Sequence, residues 1–149
     1  MSTPASRDCI EALIYRYAEC MDAGDFDGVA ALFEASTYGS HGGPRLTGSA
    51  EVAEVLRQVV KLYDGTPKTK HVTTNVVVEV DEEAGTATAR SYFTVIQALD
   101  GFPLQTIVAG RYHDSFERAD GTWRFCDREI FMDLIGDTSR HLSFDPSGT

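Results

Sequence analysis

Apolar residues along this chain change their period once, near residue 70, and that change restricts the fold more than any other feature. Before it the repeat is helical. Ile10, Leu13, Ile14, Tyr17 and Met21 recur at steps of three and four, so they share one face of a helix. Thr3 followed by Pro4 offers a start, and Asp8 with Glu11 offers a capping box one turn later. Gly24 stops the helix, and Asp25 caps a second short one whose Phe26, Val29, Leu32 and Phe33 are apolar. An extended stretch from Ser36 to His41 is broken by Gly42, Gly43 and Pro44. Ser49 is the expected cap of a third helix, with Val52, Val55, Leu56, Val59 and Tyr63 inward. Asp64, Gly65, Thr66 and Pro67 end it.

Beyond that point the pattern is that of long strands. His71 to Val80 is rich in valine and threonine. Thr86 to Leu99, Leu104 to Arg118 and Thr122 to Asp133 follow, separated by turns that include Asp100-Gly101 and the hairpin signal Asp120-Gly121. The tail from Thr138 to Thr149, with Pro, Gly and Ser, reads as mobile. Helix, helix, short strand, helix and a four-strand meander give the α+β class. Strands this long twist and bulge, so the expected architecture is a cone: a curved antiparallel or mixed sheet wrapped around the N-terminal helices, with a cavity inside. No repeat, linker or low-complexity tract divides the chain, so residues 1–149 read as one domain with its core over about 8–137.

Composition narrows the partners. A net charge of −10 disfavours nucleic acid, which wants a basic face, and anionic lipid. No apolar run approaches the roughly 20 residues that span a bilayer, and Met1 to Arg7 lacks the pattern of a signal peptide. Cys9, Cys20 and Cys126 are odd in number and contain no Cys-x-x-Cys pair, which fits a reducing, cytoplasmic setting. Cys9 and Cys20 fall in a helical pattern and read as packing residues.

Four histidines, His41, His71, His113 and His141, are the candidates for proton transfer near neutral pH. His71 has the best position, opening the first long strand at the edge of the expected cavity. Asp22 closes the first helix, where the helix dipole disfavours a carboxylate. If that helix packs across the sheet, the carboxylate and the imidazole converge, and a carboxylate on one ring nitrogen fixes the tautomer and raises the basicity of the other. His113 differs in strand parity from Tyr112 and Asp114, so it faces either the cavity or a partner subunit. His41 reads as a loop residue, and His141 falls in the tail. Arg128 has Asp127, Glu129 and Asp133 nearby as surface partners. No histidine spacing suits zinc, and no glycine-rich phosphate loop is present, so neither a metal nor a nucleotide cofactor is expected.

The run Tyr17-Ala18-Glu19-Cys20-Met21-Asp22-Ala23-Gly24-Asp25-Phe26, ending in Leu32-Phe33, resembles the opening helix pair of SnoaL-like proteins of the nuclear-transport-factor-2-like superfamily. His71-Val72-Thr73-Thr74-Asn75-Val76 resembles their strand start. Gly110-Arg111-Tyr112-His113-Asp114 with Asp120-Gly121-Thr122-Trp123-Arg124-Phe125 resembles their last hairpin. The resemblance covers about residues 8–137 and implies the cone-shaped fold. The superfamily includes scytalone and bile-acid 7α-dehydratases, polyketide cyclases, a dehydrochlorinase, ketosteroid isomerase and limonene-epoxide hydrolase, so it fixes no single activity. Its dehydratases imply an acid–base pair at Asp22 and His71, a tyrosine at Tyr17, a second at Tyr38 and an arginine at or near Arg128. A homodimer paired through the outer sheet face is also implied.

The expected chemistry is cofactor-free. His71 removes a proton from carbon beside a carbonyl, Tyr17 or Tyr38 stabilises the oxyanion, and dehydration, isomerisation or cyclisation follows. The substrate is an apolar cyclic small molecule lying against Phe33, Leu56, Val95 and His113. The alternative is a non-catalytic ligand-binding or assembly module on the same fold.

Overall fold

The computed structural model describes residues 3–148; Met1, Ser2 and Thr149, at the ends of the expected 1–149 span, lie outside the described residues. Its elements in chain order are α1 (Ser6–Ala23), α2 (Phe26–Leu32), β1 (Thr37–Ser40), β2 (Leu46–Thr47), α3 (Gly48–Val59), β3 (Thr69–Asp81), β4 (Thr86–Leu99), β5 (Phe102–Ala119) and β6 (Thr122–Ile135). The four long strands are those read from the sequence: β4 has the expected bounds, and β3, β5 and β6 each run a little longer than expected. The two-residue β2 was not anticipated, being too short to show a period.

One mixed sheet runs in the order β2-β1-β6-β5-β4-β3. The β3 to β6 meander is antiparallel throughout, while β1 joins β6 in parallel, with Tyr38 opposite Arg128. Register shifts interrupt all three long pairings, between Thr74 and Val77 on β3, after Val95 on β4, and between Ser115 and Phe116 on β5. Each shift adds local twist, and together they curl the sheet so that its concave face closes over the helices.

The helices fill that concavity through the stripe their spacing foretold. Ile10, Ile14, Tyr17 and Met21 of α1, Val29 of α2 and Val52 and Leu56 of α3 are buried against Phe93, Val95, Tyr112, Phe116 and Phe125 of the sheet. No described helix is long and apolar enough to cross a membrane.

The helix starts differ from the sequence reading. The residue before α1 is Ala5, with no side-chain cap, so neither Thr3 nor Asp8 caps it. α3 begins after Thr47 rather than at Ser49, and the Glu51 carboxylate accepts the Thr47 backbone N–H at 2.6 Å. A carboxylate in the first turn meets the exposed amide dipoles as well as a capping hydroxyl does. Asp25 does cap α2, accepting from the Gly28 N–H at 2.9 Å.

The tail is also not loose through Ser143. The Lys61 N–H donates to the His141 carbonyl at 2.8 Å, the Ser143 N–H donates to the Val59 carbonyl at 2.9 Å, and Leu142 bridges to Val60. Tyr63 Oη donates to the Arg140 carbonyl at 2.6 Å, and Lys61 Nζ donates to the Ser139 carbonyl at 2.8 Å. The buried Gln97 amide reaches both Pro67 and Arg140. Pro, Gly and Ser composition is blind to such partners, which come from residues 58–97.

Gly24 ends α1 with φ of 71°, in the left-handed region that spares only glycine a steric penalty. A Cβ there would stand 2.3 Å from the Gly65 carbonyl oxygen, so the bare Cα also admits the 63–66 turn. Gly24→Ala should therefore destabilise the protein by about 2 kcal/mol or more, from strain and overpacking together. Urea unfolding monitored by circular dichroism reads this directly.

Candidate active site

The end of α1 lies against the first residues of β3, and Asp22 is the point of contact. Its Oδ1 is 2.6 Å from His71 Nδ1 and accepts from Thr69 Oγ1 at 2.9 Å. Its Oδ2 accepts the His71 backbone N–H at 2.8 Å. The side chains are 11% exposed for Asp22 and 6% for His71, so this carboxylate is largely withdrawn from solvent. Burial pushes its pKa up, but the hydrogen bonds and charge of His71, with the bond from Thr69, carry it below the ordinary value. An ionised carboxylate only accepts, so Nδ1 carries a proton and the lone pair of the neutral ring sits on Nε2.

His71 lines a cavity of about 390 Å³ between the helices and the concave sheet face. Its walls include Met21, Leu56, Val59, Phe93, Val95, Val108 and Ile130. No lysine, arginine, aspartate or glutamate lines it. Larger in volume, at about 470 Å³, is a shallow open groove along Glu79, Thr88, Ser115 and Glu117, but it does not enclose a ligand as the inner cavity does.

Two tyrosines add hydroxyl groups to the cavity wall. Tyr17 comes from α1 and Tyr38 from β1, and their hydroxyls are 2.7 Å apart. The parallel seating of β1 beside β6 brings Tyr38 within reach. Burial raises the pKa of both phenols, for Tyr17 against the opposing charge of Arg128 and for Tyr38 reinforced by Tyr17, so both remain hydrogen-bond donors at neutral pH. Tyr17 also meets the His71 ring edge-on, with centroids 6.4 Å apart.

Comparison with known proteins identifies the family to which this fold belongs. The SnoaL-like domain family matches residues 3–129. The chain belongs to that family. A solved structure of a variant of Rv3472 from Mycobacterium tuberculosis, a protein of unknown function, is 26% identical, with a TM-score of 0.71 over 89% of this chain and 74% of that one. A nuclear-transport-factor-2-like protein with a cystatin-like fold from Novosphingobium aromaticivorans is 24% identical, with a TM-score of 0.69 over 90% of this chain and 86% of that one. A candidate scytalone dehydratase from the same organism is 23% identical, with a TM-score of 0.70 over 88% and 86%. No curated protein matches significantly.

Within this SnoaL-like domain the remaining candidate residues separate. Leu56 and Val95 line the cavity. Phe33 does not: it is fully buried behind Tyr38 and Phe125, with ring centroids 4.7 and 4.8 Å away. His113 is exposed on the outer face, 4.8 Å from the Phe131 ring, because Tyr112 and Asp114 take the inward positions. His41 stacks on the same Phe131 and lies 3.4 Å from Glu129.

Arg128 is neither a surface residue nor a cavity residue. It is 0% exposed and forms a two-pronged pair with Asp114, Nε to Oδ1 at 2.8 Å and Nη2 to Oδ2 at 2.9 Å. Its guanidinium lies 3.7 Å from the Tyr112 ring centroid and 4.4 Å from that of Tyr17. It thus braces the cavity's aromatic floor from behind. Removing one partner of such a pair leaves an uncompensated buried charge. Arg128→Met should cost about 3–5 kcal/mol of unfolding free energy, and Arg128→Met with Asp114→Leu should recover most of it in denaturant melts.

The sequence reading passed over His141. The docked tail sets it in the cavity wall, 4% exposed, with its ring centroid 6.1 Å from that of His71. Burial, with a smaller push from His71 and against the pull of Asp22, carries its pKa from 6.5 down to about 4. Only its tail position was visible in the sequence, and nothing there signals burial. Because the folded pKa lies below the unfolded one, this histidine's contribution to stability is complete above pH 6.5. It declines as pH falls to about 4, by up to roughly 3 kcal/mol. Unfolding free energies at pH 7 and pH 4.5 should differ less in His141→Phe than in the parent protein.

Proposed function

We propose that this protein is a cofactor-independent enzyme in which His71, oriented by Asp22, takes a proton from carbon beside a carbonyl of an uncharged cyclic small molecule. The observation that carries the reading is the 2.6 Å contact between His71 Nδ1 and Asp22 on the wall of an apolar cavity. The buried carboxylate holds the imidazole in the tautomer whose Nε2 is free to accept, and it stabilises the imidazolium formed.

The tyrosine pair supports the same chemistry. Two hydroxyls that share one hydrogen bond have one proton left to donate. That donor suits the oxygen on which negative charge grows as the enolate forms. Returning the proton from His71 to a leaving hydroxyl completes a dehydration. Delivering it to another carbon completes an isomerisation, and attack of the enolate on a second carbonyl closes a ring. The candidate scytalone dehydratase among the structural relatives fits the first of these.

Cavity chemistry defines the substrate class. A volume near 390 Å³ falls in the range of roughly 300–1,000 Å³ that holds small organic ligands. With no lysine or arginine among the described wall residues, a carboxylate or phosphate would give up water without meeting a permanent cation, which favours a neutral ligand. Two or three fused rings bearing oxygen at one end meet these limits.

The test is solvent deuterium exchange at the α-carbon of bicyclic ketones such as 1-tetralone and 2-tetralone, read by mass spectrometry. The protein should accelerate exchange, and His71→Ala and Asp22→Asn should each reduce the rate by about 10²- to 10⁴-fold with the fold intact. Ketones that bind with no acceleration of exchange would mark the cavity as a binding site alone.

A further inference from the structure

The exposed residues in the wall of the inner cavity are Gly43, Pro44 and Phe144, which sets its mouth between the loop after β1 and the docked tail. Ser40 stands at the threshold. It follows Tyr38 by two residues on β1, about 7 Å further along the same side of the strand, and it too lines the cavity.

A second hollow begins at that mouth. It has a volume of about 360 Å³ and shares Ser40, Ile130, Met132 and Phe144 with the cavity. β1 stops at Ser40, opposite Ile130, so from Phe131 onward β6 has no strand beside it on that side. The groove rounds this free edge and continues onto the outer face of the sheet, along His41, Arg111, Phe131 and Asp133.

These residues give the groove a definite chemistry. His41 lies on Phe131 with ring centroids 4.6 Å apart and planes inclined by 23°, and its side chain is 65% exposed. It offers a flat face already backed by a second ring. The exposed Phe144 adds another aromatic surface at the mouth. Arg111 is held by Asp133 through Nε and Nη2, at 2.8 and 3.1 Å, and its Nη1 has no partner among the described residues. Charges here are balanced, Arg111 by Asp133, and His41 when protonated by Glu129 at 3.4 Å. An anion would therefore meet no surplus cation, whereas a flat neutral group can stack on His41 and accept a hydrogen bond from Arg111.

We propose that this groove is a second subsite, which takes a flat, uncharged, oxygen-bearing substituent of the ligand whose ring system fills the inner cavity. The assignment rests on the reading of that cavity as the substrate site and specifies the substrate further. It is a cyclic ketone with an aryl or similarly flat extension at the end remote from the carbonyl. With the carbonyl oxygen at the Tyr17–Tyr38 pair, a bicyclic skeleton reaches toward Ser40. A group attached at that end emerges past Phe144 and lies on His41.

The experiment compares 1-tetralone with 6-(4-hydroxyphenyl)-1-tetralone, whose added ring lies at the end away from the carbonyl. Dissociation constants are measured on the full chain by isothermal titration calorimetry, with α-deuterium exchange followed in parallel. The parent protein should bind the aryl ketone about 10- to 30-fold more tightly than 1-tetralone. His41→Ala and Arg111→Met alter side chains that lie in the groove and outside the cavity. Each should remove about two- to tenfold of that gain and leave the affinity for 1-tetralone unchanged, which also checks that the fold is intact. Equal affinity of the parent for the two ketones, as a second copy of the chain seated over the groove would give, overturns the assignment. So does a gain that both variants retain, or a loss in the variants that is equal for the two ketones. A gain that depends on His41 and Arg111 without exchange of either ketone sustains the subsite and overturns the His71 reading. Failure of both ketones to bind overturns the two together.

Discussion

The Asp22 carboxylate joins the two halves of this fold. It ends the first helix, where the dipole and the loss of water both disfavour a charge. Three donors from the start of β3 offset that cost: the Thr69 hydroxyl, the His71 amide and the His71 ring. The helix therefore cannot slide along the sheet without stripping a buried charge of its partners. β3 is the edge strand, with no neighbour beyond it, so α1 supplies the lateral constraint that another strand would give. One interaction thereby holds the helix, closes the edge and fixes the imidazole's tautomer.

Much of this was legible in the sequence because it follows from period. The stripe from Ile10 to Met21, the glycine after Asp22 and the four valine-, threonine- and aromatic-rich runs each belong to a local pattern with a physical cause. Arg128 shows where that reasoning stops. Trp123 and Phe125 face inward, and strict alternation would turn residue 128 outward. Cys126 falls at the register shift where Ser115 pairs with Asp127 and Phe116 with Phe125, and beyond it the inward positions become Arg128 and Ile130. A single extra residue reverses every later side chain. No composition signal marks such a bulge, and so the neighbouring acids Asp127, Glu129 and Asp133 looked like the natural partners. The true partner, Asp114, comes from the adjacent strand.

Phe33 and His113 failed for related reasons. Phe33 is as apolar as the cavity lining, but it sits one layer deeper, between Tyr38 and Phe125. Depth is a property of packing that a helical repeat does not encode. His113 has a parity that the sequence states correctly, but parity says only that it opposes Tyr112 and Asp114, and which face is concave depends on the curl of the whole sheet. His141 was hidden by composition, because the residues that dock the tail lie far away in the chain, at Gln58, Lys61, Tyr63 and Gln97.

These displacements change the character of the site. With Arg128 behind Tyr17 and Tyr112, the described cavity wall keeps no fixed charge, and its polar side chains are imidazoles, phenols and the Ser40 hydroxyl. Groups of that kind act through hydrogen bonds to a neutral ligand, and their strength rises as water is excluded. The docked tail contributes to that exclusion, since Leu142 and Phe144 line the same cavity as His141. Two neighbouring rings in this wall differ in their surroundings. The hydrogen bonds around Asp22 keep it ionised beside the His71 ring in spite of burial, whereas burial holds the His141 ring neutral. A hollow whose base is oriented by a buried carboxylate is built to move a proton over a short distance without admitting bulk water, and the proposed chemistry asks for that and nothing more.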